Sequence, residues 1–88
     1  MDEKLEKTGT LTVSSASGYV VELANRGVVY RDESGEVAIG HSWLGKPSGI
    51  SLHPSTLRAK GLDEARVELI AARAMRALQY LGYYVELF

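Results

Sequence analysis

The sequence predicts an α+β fold in two layers: an antiparallel sheet of about five to six strands with one long helix packed on one face. Three observations lead there. Residues 64–81 run without Gly or Pro, and Val67, Ile70, Ala71, Ala74, Met75, Ala77, Leu78 and Leu81 fall on one side of a helix. Several earlier stretches alternate apolar and polar residues between turn-forming clusters. The tail at 83–88 carries β-branched and aromatic residues, so a last strand follows the helix.

In chain order, residues 1–8 are mostly charged and read as a flexible lead-in. Residues 10–14 alternate, with Leu11 and Val13 on one face, and suit a half-buried strand. After a turn at 15–18, residues 19–24 form a strand with Tyr19, Val21 and Leu23 on one side. Asn25, Arg26 and Gly27 make a tight connection into a strand at 28–31, because Asn and Gly tolerate positive φ. A second hairpin turn at 32–35 leads to a strand at 36–41, with Val37 and Ile39 inward. Residues 43–49 (WLGKPSG) read as a loop. Residues 50–53 are a candidate short strand, and 55–60 a single helical turn stopped by Gly61. Asp63 is placed to cap the long helix and Gly82 to end it. The hexapeptides Gly18-Tyr-Val-Val-Glu-Leu23 and Gly82-Tyr-Tyr-Val-Glu-Leu87 differ at one position. A helix precedes only the second, so they read as two strands meeting one packing demand rather than a duplication.

Eighty-eight residues make one domain, because two separate cores would each be too small to fold unaided. A formal charge of −1 gives no general pull toward nucleic acid or acidic membranes. With no cysteine, disulfides and thiolate metal sites are excluded. No apolar run reaches the roughly 18 residues of a membrane helix, and the charged start is unlike a secretory signal. A cytoplasmic protein is the expectation.

Gly40-His-Ser-Trp-Leu-Gly45-Lys46-Pro47 comes within one residue of a phosphate-binding loop. That loop needs a hydroxyl after its lysine for magnesium and a helix starting there, whereas Pro47 supplies neither hydroxyl nor amide proton. The same letters approach a nucleophile elbow around Ser42, but Leu44 stands where the second Gly is required. Asp32, His41, Ser42 and His53 are candidate acid–base groups, yet a sheet with one helix has little room to enclose a substrate. No His/Asp/Glu cluster has metal-ligand spacing. The expectation is therefore no enzyme, no catalytic residue, no cofactor and no metal.

The polar side of the long helix reads either as a face for a protein partner or as an ordinary solvated face with one stray Leu. Arg66, Arg73 and Tyr80 recur every seven residues with Leu69 and Arg76 beside them, and Arg and Tyr are favoured at interfaces. Trp43 reads first as a plug for the end of the sheet–helix core and, in its other reading, joins this set as an interface anchor. A nucleic-acid module using the helix arginines is the alternative, weakened by Glu64 and Glu68 on the same helix. The face bearing Val20, Tyr84 and Phe88, or an unpaired edge strand, offers a route to a homodimer.

The Gly18-Tyr19-Val20-Val21 strand and its hairpin, the strand from Val37 leading to Trp43, the acidic helix start at Asp63-Glu64 and the closing Val85-Glu86-Leu87-Phe88 together resemble a family of small immunity proteins. These are bacterial and found beside polymorphic or contact-dependent toxins. The likeness is one of element pattern over most of the chain after Thr10. It implies a non-enzymatic protein that binds and neutralises a cognate toxin; a phage-type inhibitor of a host defence protein has the same size and surface logic.

Overall fold

The computed structural model describes residues 4–24, 27–45 and 49–88. The expected connection at Asn25 and Arg26, residues 46–48 of the expected loop and the first three of the lead-in lie outside these. Seven strands form one sheet in sequence order: β1 (Leu5–Gly9), β2 (Thr12–Ser15), β3 (Val20–Ala24), β4 (Gly27–Asp32), β5 (Gly35–Trp43), β6 (Gly49–His53) and β7 (Tyr84–Leu87). A short helix, α1 (Ser55–Arg58), and the long α2 (Glu64–Tyr80) separate β6 from β7.

Three expectations are corrected. The lead-in is not all lead-in: β1 pairs antiparallel with β2, Ala16 N–H donates to Lys4 O (3.0 Å), and Leu5 packs against the core. Its charged residues hide a strand because an edge strand keeps charges on both faces. Among the described residues there are seven strands rather than five or six. The sheet is also mixed, since β6 and β7 run parallel while every other pair is antiparallel. Short turns force antiparallel neighbours, but the long connection through both helices lets the chain return in the same direction.

The helix ends follow from local chemistry. Asp63 Oδ1 accepts the Arg66 amide proton at 2.8 Å, satisfying one free donor of the first turn. At the other end Gly82 adopts φ +100°, its N–H donates to Gln79 O, and Tyr83 N–H donates to Leu78 O. This is the Schellman arrangement, which needs a left-handed residue where Gly82 stands. Val67, Ile70, Ala71, Ala74, Ala77 and Leu78 are buried as expected, against Val13, Val21, Leu23, Val28, Tyr30, Ile39, Ile50, Leu52 and Val85. Thr56 ties α1 to two strands by accepting from the Gly40 amide (2.9 Å) and donating to His53 O (2.7 Å), while Leu57 fills the core.

The sheet curls around α2. The helix packs against β7 at one edge and against β2, β3 and β4 toward the other. On one flank of the apolar stripe, Arg66 and Arg73 are therefore partly covered by strand residues, while Glu68, Ala72 and Gln79 on the other flank stay exposed.

Candidate functional site

Two of the predicted partner-binding arginines lie in that covered zone. Tyr30 faces inward on β4, so Asp32, two residues on, faces the same way. The Asp32 side chain is only 5% exposed and accepts from Arg66 Nη2 at 2.9 and 2.8 Å. It also accepts from Tyr30 Oη at 2.7 Å and from the Ser34 amide at 2.8 Å. Arg73 Nη1 donates to Tyr30 Oη at 2.7 Å and stands 3.9 Å from the Asp32 carboxylate. The Tyr19 and Tyr30 rings stack with centroids 5.7 Å apart, and Arg73 lies 4.6 Å from the Tyr19 centroid.

Burial pushes the Asp32 carboxyl up, but its bonds from Tyr30 and Arg66 outweigh that and hold it below the usual carboxylate range. The same burial and the bond to Asp32 raise the Tyr30 phenol. The result is a Tyr–Asp–Arg network, one carboxylate between two guanidinium groups, joining the β4–β5 turn to α2. Ser17, Gly18, Glu33 and Leu69 complete a cleft of about 210 Å³ beside it. Its spacing was readable: Tyr30 and Asp32 share one strand face, and Arg66 and Arg73 share one helix face. Helical periodicity alone assigned those arginines to the polar side of α2.

The other predicted residues are exposed. Leu69 (39%), Arg76 and Tyr80 (52%) form a stripe along the outer side of α2. Trp43, at 59% exposure, does not plug the core. Its ring packs against Tyr83 at 6.2 Å and edge-on to His41 at 5.7 Å, which places it near the C-terminal end of α2.

Asp32, His41, Ser42 and His53 do not assemble. Ser42 Oγ and His53 Nε2 are 2.9 Å apart. The register sets His53 opposite Gly40 and His41 opposite Leu52, so the two imidazoles lie on opposite faces of the sheet. Asp32 is at the far end of the β4–β5 hairpin. His41 Nδ1 is buried with no hydrogen-bond partner among the described residues. Burial, then the nearby His53, lowers the His41 pKa. Among the described residues, no group of three or more His, Asp or Glu is arranged to hold a metal ion. No described helix is long and apolar enough to cross a membrane.

Fold and surface define a small α+β protein: a curled, mixed sheet wrapped around one long helix, with exposed aromatics at one end. Against family models, curated proteins and solved structures, the chain finds no match.

Proposed function

We propose that this chain is a non-enzymatic, cytoplasmic protein-binding inhibitor, of the kind that neutralises a bacterial toxin or a comparable effector. One observation carries the reading. Leu69, Tyr80 and Trp43 are large apolar or aromatic side chains held in water, while the core closes without them. Aromatic and arginine side chains in such a patch are the usual anchors of a protein interface. From Leu69 to Tyr80 the stripe runs roughly 16 Å along α2, a length that suits a helix face laid against a partner. The nucleic-acid reading loses ground, because Arg66 is spent on Asp32 and Arg73 on Tyr30. Immunity to a toxin in particular rests on the sequence resemblance.

The test is capture of partners from the native host by the wild-type chain and by a Leu69→Asp/Tyr80→Asp variant, followed by co-expression of any captured toxin. The wild type should capture a partner and restore growth to cells making it, and the variant should do neither while melting at the same temperature. Equal capture and protection by the variant would overturn the assignment of the surface. A nuclease or NTPase turnover abolished by Ala at His41, Ser42, Lys46 or His53 would overturn the inhibitor reading itself.

A further inference from the structure

The two edges of the sheet differ in kind. β1 exposes Glu6 and Lys7 and carries a register break between Lys7 and Gly9. Charge and irregularity of that sort blunt an edge against further pairing. β7 has neither Lys nor Pro, and its register with β6 is unbroken. Phe88 N–H donates to Leu52 O. Alternation along the strand then turns the N–H and C=O groups of Val85 and Leu87 outward, where an eighth strand would lie. Beside this edge runs a mostly apolar groove of about 360 Å³, lined by Pro54, Val67, Ala71, Ala72, Met75 and Leu87 with Arg58 and Glu68 among them. Phe88, at 86% exposure, follows the strand and packs against His53 with ring centroids 5.2 Å apart.

We infer that two copies of this chain pair through β7, antiparallel, about a twofold axis at Val85. The outward groups of Val85 and Leu87 allow two close registers, centred on Val85 or on Glu86. Centring on Glu86 would set the two Glu86 carboxylates directly opposite, about 4.5–5.5 Å apart at Cβ, which is destabilising for like charges. Centring on Val85 sets Glu86 opposite Tyr84 of the second copy, and Leu87 opposite Tyr83. Tyr84 Oη already donates to Glu86 Oε1 at 2.8 Å within one chain, so the same two groups can bond across the axis. The segment is thus complementary to itself, as a twofold interface requires. This pairing leaves the outer stripe of α2 uncovered, so it stands or falls separately from the inhibitor reading.

The chain has no cysteine of its own, which makes the register directly testable. Sedimentation of the wild type over micromolar to submillimolar concentration should show a dimer. Leu87→Pro, which removes an outward amide proton, should give a monomer with an unchanged circular dichroism spectrum. Oxidising a mixture of the Tyr84→Cys and Glu86→Cys chains should yield a mixed disulfide dimer, because opposed residues of this type have Cα atoms about 4.5 Å apart, within bridging range. Glu86→Cys alone should stay uncrosslinked. A monomer at all concentrations, a dimer that survives Leu87→Pro, or crosslinking of Glu86→Cys alone without the mixed product would each overturn the proposal. Should Leu87→Pro fail to fold, the mixed disulfide decides by itself.

Discussion

Asp32 shows how much one carboxylate contributes when it is buried and surrounded by donors. Removing one partner of a fully buried ion pair costs about 3–5 kcal/mol, but Arg66 and Arg73 remain about a quarter exposed and water screens them. Asp32→Ala should therefore destabilise by about 2–3 kcal/mol, lowering Tm by roughly 10–20 °C in a chain of this size. A change under about 0.5 kcal/mol, the range of an ordinary surface substitution, would show that the network is not structural. Arg73→Glu would set a second carboxylate against Asp32, so it should lower stability as well as any binding and cannot isolate the interface. His41 and Asp32 act in different pH windows. His41 has a depressed pKa when folded, so its neutral form contributes stability above about pH 6.5 that is lost as pH falls through the folded value. Asp32, also depressed, contributes above about pH 3.9 and is lost only as pH falls below that. Denaturant unfolding between pH 7.5 and 5 should thus show declining stability that flattens in His41→Gln; an equal slope in both proteins would show that another group titrates there.

At the scale of elements, α2 was the most legible part of the chain, because its stripe, its Asp63 cap and its Gly82 terminator agree. Ile70 is fully buried at the centre of that stripe. Ile70→Ala should cost about 2–5 kcal/mol from lost burial and the cavity left behind, measured by denaturant unfolding. The β4–β5 hairpin was legible from its turn residues, and the two near-identical hexapeptides do share a local solution. Each begins at a positive-φ glycine, +94° at Gly18 and +100° at Gly82, and each buries the valine at its fourth position, Val21 or Val85. Gly27 shows what pattern alone cannot carry. It sits at φ +140°, and a Cβ there would come 2.7 Å from Ile39 O on the neighbouring strand. Gly27→Ala should therefore destabilise by more than the roughly 1 kcal/mol that a strain-free exchange could offset, and an unchanged denaturation midpoint would refute that packing.

At the scale of the whole molecule, the curl of the sheet and the direction of β7 were the features the sequence hid. Alternation assigns residues to faces, but the curvature of seven strands comes from cumulative twist, which no single residue signals. That is why Leu69 and Tyr80 were placed correctly in solvent while Arg66 and Arg73, on the flank of the same helix, were not. Curling also sets Trp43 at the end of the molecule where α2 finishes, packed on Tyr83 and open to water. As the only tryptophan, it reports on that surface without labelling. The free protein should emit at the long wavelengths of a hydrated indole and be readily quenched by acrylamide. A partner docked over Trp43 and Tyr80 must remove water from the indole, so emission should move to shorter wavelength and quenching should fall on binding. Trp43→Ala should weaken that complex by tenfold or more, about 1.4 kcal/mol, with little loss of stability because the ring is mostly exposed. A saturating partner that leaves emission and quenching unchanged would place its footprint elsewhere on the molecule, and Trp43 would drop out of the interface.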